Sequence, residues 1–245
     1  MKTSRLLLAA GTALLALALP ALALLPQPGG DEIELDEAEA FIEWNSTDGD
    51  FGIQFFWDGD PWDKMGVFAP GERAVLRVAA KRNVAEQGLT EGFFESAEPS
   101  ADELSMEEFF ERFPEGEYEF EGYSLEGDEL EGETDFTHVL PTPPTGLYPS
   151  DIAVNANAPL TATFDAVTMD IEGAPLTPVL YEVVIETETD DLERIFSIIL
   201  PGDVASPAVT VPPEFLYSGG EYKLEIIVQE ESGNRTIAES IFTTL

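Results

Sequence analysis

The sequence predicts a mainly β protein in two parts: an acidic antiparallel β domain carrying one short helix, followed by a β-sandwich. Three observations predict it. Apolar and polar residues alternate with period two through most of the chain, with aromatic and β-branched side chains prominent among the apolar ones. One stretch dense in proline, Val-Leu-Pro-Thr-Pro-Pro-Thr-Gly at residues 139–146, reads as a linker and divides the 245 residues. Charge is unequal on its two sides: residues 31–138 hold 32 acidic and six basic side chains, and residues 139–245 hold 17 and three.

The first residues concern export. Lys2 and Arg5 precede an apolar run from Leu6 to Leu19, then Pro20 and the small-residue pattern Ala21-Leu22-Ala23. This is the pattern of a secretory signal peptide of bacterial type, spanning residues 1–23, with residues 24–30 as a flexible leader. No later stretch approaches the roughly 20 apolar residues of a membrane helix, so no transmembrane segment is expected in the mature chain. The expected location is secreted or periplasmic. The chain has no cysteine; disulfides, thiolate metal ligands, a cysteine nucleophile and a lipoprotein anchor are therefore not expected.

The net charge is -38. Such a surface repels nucleic acid and anionic lipid at long range, so neither is an expected partner. It also repels itself, and salt or bound cations should stabilise the fold.

The elements follow in order. Phe41, Glu43 and Asn45 alternate with Ile42, Trp44 and Ser46; Phe51, Ile53, Phe55 and Trp57 alternate with Gly52, Gln54 and Phe56. Both segments read as strands, and the residues around the Pro70-Gly71 turn continue the pattern, giving three or four antiparallel strands before residue 82. Ser105 and Glu108 form a capping box, and Leu104 with Phe109 a hydrophobic staple, which predicts a helix from Met106 to Phe113. Upstream, Leu89, Phe93 and Phe94 suggest another helical turn, weakened by Gly88 and Gly92. Residues 117–139 read as a hairpin turning near Gly127-Asp128, with Tyr118 and Phe120 inside, Phe136 and His138 on one face, and Gly122 and Gly132 as bulges.

In the second half, strand-like segments recur at even spacing without helices, as in a sandwich. Pro159-Leu160-Thr161-Ala162-Thr163-Phe164 followed by Asp165-Ala166-Val167 resembles the B strand of a fibronectin type III domain. Tyr181 resembles that family's C-strand tyrosine, Leu216 its corner leucine and Tyr222 its tyrosine-corner residue. The resemblance covers residues 147–245, with Phe164 where the family usually has tryptophan and a long connection between strands B and C. It implies an immunoglobulin-like sandwich used for adhesion, spacing or protein recognition, with no catalytic residues to carry over.

Candidate chemistry is sparse. Asp48, Asp50, Asp58, Asp60 and Asp63 lie in two Asp-Gly-Asp segments, Asn45 to Asp50 and Asp58 to Asp63, and are the candidate metal ligands. An EF-hand loop begun at Asp48 would need glycine and glutamate where Ile53 and Gly59 stand; one begun at Asp58 fails at Asp63. Read as turns at either end of a six-residue strand, the segments lie about 20 Å apart, so each would need its own oxygen partners, Asn45 and Glu43 among them. Calcium is the one cofactor these residues suggest. His138 is the only histidine, which excludes a multi-histidine zinc centre and leaves it a packing or hydrogen-bonding role. No nucleophile elbow or phosphate loop occurs. Asn45-Ser46-Thr47 and Asn234-Arg235-Thr236 match glycosylation sequons, read as chance matches in a bacterial export. The expected function is non-catalytic binding, adhesion or surface association with a protein or extracellular polymer. The alternatives are a calcium-dependent structural or binding protein and, behind it, a two-carboxylate hydrolase.

Overall fold

The computed structural model describes residues 30–189 and 194–245. The export signal expected at residues 1–23 lies outside the described residues. The first half is built on a hairpin of β2 (Glu37–Asn45) and β3 (Asp50–Ala69). Ala40 and Ile42 of β2, with Phe51, Ile53, Phe55 and Trp57 of β3, point into one aromatic core, as period two requires. The intervening turn is made by Asn45, whose side-chain oxygen accepts from the backbone N–H groups of Thr47 and Asp48, and by Gly49 at φ 75°.

β3 is a single strand of 20 residues, not a six-residue strand with a turn at each end. Its first part lies between β2 and β5 (Leu89–Glu95); its last part lies between β4 (Arg73–Ala79) and β6 (Gly116–Ser124). The exchange of partners falls where the register shifts, at Asp58 to Lys64. Asp58-Gly59-Asp60-Pro61 is thus a bulged stretch of strand. Gly59 stays out of the left-handed region that a tight Asp-Gly turn uses. Burial overrides the turn signal: Trp57 and Trp62 both sit in the core, ring centroids 5.6 Å apart, and a reversal between them would expel one.

Two further expectations are corrected. The segment expected to make a helical turn at Leu89 to Phe94 is the strand β5, and helix α1 (Asn83–Gln87) precedes it. Gly92 lets β5 lie against Trp57, since a Cβ there would stand 2.4 Å from the indole, and Phe94 stacks on the same ring at 5.1 Å. Gly122 and Gly132 are not bulges: the hairpin of β6 and β7 (Glu129–Phe136) pairs without a register break through both. They make room instead. A Cβ on Gly122 would meet Met65, and one on Gly132 would meet Ala38 and Leu35.

The predicted helix is α2 (Met106–Arg112), with both hydrogen bonds of the Ser105 and Glu108 capping box in place and Phe109 buried. His138 stacks on Phe110 at 4.0 Å, meets Phe136 edge-on at 5.8 Å, and its Nε2 lies 2.7 Å from the Phe113 carbonyl oxygen. Packing and hydrogen bonding account for it. Short β1 (Glu32–Glu34) closes this end of the sheet by parallel pairing with β7.

The second half is a fibronectin type III-like sandwich. β9 (Leu160–Thr163) pairs with β12 (Ala208–Val211) in one layer. β10 (Leu180–Thr187), β11 (Ile195–Pro201), β13 (Glu221–Gln229) and β14 (Arg235–Thr244) form the other, in the order β14-β13-β10-β11. Leu160, Ala162, Val209 and Val211 face Tyr181, Val183, Ile185, Leu224, Ile226 and Val228 across the core. The Tyr222 hydroxyl accepts from the Tyr217 N–H at 2.8 Å, completing a tyrosine corner, and the Tyr181 hydroxyl accepts from the Val167 N–H at 2.8 Å. Leu216 and Phe164 are both buried.

The halves keep separate hydrophobic clusters but share one sheet. β14 begins parallel to β2, pairing Arg235 with Glu43, Thr236 with Trp44 and Ile237 with Asn45, and ends parallel to β8 (Ala153–Val154). Fully buried Asn234 is the pivot: its Oδ1 accepts from the Ile42 N–H at 2.7 Å, and its Nδ2 donates to the carbonyls of Thr137 and Val139 at 3.0 and 2.9 Å. The Thr236 hydroxyl donates to the Pro141 carbonyl at 2.8 Å. The proline-rich stretch is therefore laid along the seam and held there. Both sequon asparagines are spent in the same place, since Asn45 Nδ2 donates to Glu239 at 2.7 Å.

Candidate functional site

The five aspartates are spread along β3 and its hairpin. Asn45 Nδ2 approaches Asp48 at 3.4 Å, Asp50 forms an isolated bridge with Ser100, and Asp63 lies 3.9 Å from Lys64. Among the described residues, the group of acidic side chains whose ligand atoms converge is a different one, Glu43, Glu95 and Glu98, with oxygens within 4.8 Å of one another.

Strand pairing assembles it. Glu43 stands opposite Gly52, and Glu95 stands opposite Gln54, on the face of β2, β3 and β5 away from the aromatic core. Gly52 leaves space there: a Cβ would stand 3.0 Å from Glu98 Cγ. Desolvation, then the charges of Glu95, Glu43 and Asp50, push the Glu98 carboxyl up to about 7. Glu43 is also raised, first by desolvation, although Arg235 and a hydrogen bond from Gln54 pull it back. Three carboxylates this close can share a proton or hold a hard cation through oxygen. Glu43 was legible as a partner to the aspartate turn. Glu95 and Glu98 were not, because nothing in the local pattern places residue 95 beside residue 43.

The second feature is β11, the terminal strand of the long sheet. Its seven residues, Ile-Phe-Ser-Ile-Ile-Leu-Pro, carry no charge in a chain of net charge -38. Ile198, Phe196 and Leu200 pair with Val183, Ile185 and Tyr181 on the core side of the sheet. Ile195, Ser197 and Ile199 point to the open face, where Ile195 is 58% and Ile199 62% exposed. Ile198, at the rim of the core, is 39% exposed.

The open face around these isoleucines is acidic. Glu186 stands opposite Ile195 and Glu182 opposite Ile199 on neighbouring β10. Lys223 on β13 lies on this face, within 2.8 Å of Glu186, 2.7 Å of Glu225 and 3.9 Å of Glu239. Desolvation opposes its charge, but the hydrogen bonds it donates to Glu186 and Glu225 outweigh this and hold the ammonium above its ordinary range. Edge strands usually carry charge, proline or a covering element to prevent pairing with another chain. Among its seven residues β11 has only the terminal Pro201.

No protein-family model matches the chain, and no curated protein sequence matches it. Solved structures align with it at low identity. The chicken CNTN1 FN1-FN3 domains align over 87% of this chain and 68% of theirs, at 11% identity and a TM-score of 0.33. A bacterial ice-binding adhesin, described in connection with host cell surface retention, aligns over 88% of this chain and 65% of its own, at 10% identity and a TM-score of 0.30. The human OSCAR ligand-binding domain aligns over 84% and 97%, at 13% identity and a TM-score of 0.25. The class defined by the chain's own ladder order and corner hydrogen bonds is a fibronectin type III-like, immunoglobulin-class sandwich joined edge to edge with an acidic β domain.

Proposed function

We propose that this chain is an exported, non-catalytic binding protein of adhesive or surface-associated type that docks through the β11 edge. The observation that carries this reading is a seven-residue uncharged strand at the end of the sheet, with Ile195 and Ile199 exposed, in an otherwise strongly acidic protein. Burying exposed apolar area and satisfying open backbone groups are the two gains of strand addition. The test is recovery of a partner from native envelope or medium by the parent chain and by the double variant Ile195→Lys/Ile199→Lys. Recovery by the parent alone supports the reading; equal recovery, or none, overturns it.

A second reading keeps the cation. Calcium held by Glu43, Glu95 and Glu98, with Asp50 beside them, or by Asp48, Asp58, Asp60 or Asp63 with partners of their own, would relieve carboxylate repulsion in the acidic half. The convergence of three carboxylates favours it. Melting in calcium, in magnesium at equal ionic strength, and in chelator decides: equal midpoints in the two metals would rule out a specific calcium site.

A further inference from the structure

We infer that the β11 edge takes an extended segment of another protein in which basic and apolar residues alternate, added as a further strand beside β11. The inference rests on the docking reading above and names the chemistry of the partner.

The two faces of the sheet at this edge differ, and a strand added there must match both. On the core side, β11 offers Ile198, half-covered at the rim, next to the Val183 position of β10. An added strand places every second residue there, and an apolar residue extends the buried layer. On the open side, the same strand places its other residues beside Ile195, Ser197 and Ile199. One strand further in stand Glu186 and Glu182.

Adjacent strands lie about 4.8 Å apart, so an added strand runs about 10 Å from β10. Lysine or arginine suits that gap: the aliphatic stem crosses the exposed isoleucine and the charged head reaches the carboxylate beyond it. Lys223 is the neighbouring base on this face, already engaged with Glu186 and Glu225. Glu182 holds the Ser197 hydroxyl at 2.5 Å and keeps a second oxygen for such a head. An acidic segment would meet repulsion on the open face, as would a second copy of this chain with its own charge of -38. Residue alternation with period two is therefore demanded from both sides, basic outward and apolar inward.

The test uses the full chain and peptides seven residues long, the length of β11, with binding read by fluorescence anisotropy at physiological salt. One peptide alternates lysine and valine; a second has the same composition with its lysines grouped at one end; a third replaces lysine by glutamate. The expected result is binding of the alternating lysine peptide, with the other two at least about tenfold weaker. Glu182→Gln/Glu186→Gln should weaken the alternating lysine peptide, and Ile195→Lys/Ile199→Lys should abolish its preference.

Equal binding of the grouped peptide overturns the inference, because charge alone then explains attraction to so acidic a protein. Self-association of the parent that disappears in Ile195→Lys/Ile199→Lys overturns it too, assigning the edge to a second copy. If β11-dependent capture of native material holds while the peptides bind alike, this inference falls alone. If capture also fails, the docking reading falls with it. The peptide comparison on the parent chain stands whatever the variants do to folding.

Discussion

The acidic half and the sandwich bury sheets of the same kind, yet charge enters their stability in opposite ways. In the first half Glu39, Glu43, Glu98, Glu121 and Glu131 all have carboxyls held above their ordinary range, each chiefly by desolvation and each also by neighbouring acids. Among the described residues of the second half only Glu239 does, and it touches Asn45 of the first. The sandwich instead rests on neutral hydrogen bonds inside its core, the tyrosine corner foremost. The two ends of the common sheet show the same division. Glu32, Glu34, Glu129 and Glu131 crowd the β1 end, whereas β11 is uncharged. Repulsion thus strains the acidic half while guarding its edge, and the sandwich escapes that strain at the cost of an unguarded edge.

The largest way to break this contrast is at the seam. Asn234→Ala strands the Ile42 N–H and the Thr137 and Val139 carbonyls, a loss of roughly 3 kcal/mol for buried groups left unpaired. Calorimetry should then show two transitions, the first of them sensitive to salt. One transition at the parent's midpoint would mean that the halves are coupled elsewhere. A smaller effect, confined to the sandwich, is expected of Tyr222→Phe: roughly 1.5 kcal/mol, read as faster hydrogen exchange at the Tyr217 amide with the acidic half unmoved. Spread of that loss into β2 and β3 would erase the distinction between the halves.

The smallest effect sharpens it. With a folded pKa near 7 against an ordinary 4.5, Glu98 keeps a proton in the folded state that the unfolded chain has released. Its contribution is fully present below pH 4.5 and is lost as pH rises through 7. Glu98→Gln should flatten the fall in melting midpoint between those values and melt above the parent at higher pH. An unchanged slope would place the pH sensitivity of the acidic half on other carboxylates.

Much of the fold was legible because its signals are local. The capping box of α2, the Gly127 hairpin and the tyrosine corner each lie within a dozen residues of sequence. The errors fell where packing into the common core overruled a local preference. Trp62 keeps Asp58-Gly59 extended by needing the same core as Trp57, and Gly92, a helix weakener, proved to be clearance for that indole. The site was harder still. Glu43, Glu95 and Glu98 are gathered by a strand order that local pattern does not reveal, while β11 was legible as a strand but not as an edge.

The parallel pairing of β14 with β2 has a consequence for how the chain acquires its shape. Asn234 and Ile42 are 192 positions apart, so this contact closes one of the longest loops the chain can form, the slow kind of step in folding. A polypeptide made from its N-terminus presents β2 long before residue 234 arrives to flank it. Until then β2, with Ala40, Phe41 and Ile42 at its centre, is itself an open edge. β14 therefore acts as a late latch, and the interval before it closes is when the acidic half is most exposed to mispairing and most in need of its own negative charge to keep neighbouring copies apart.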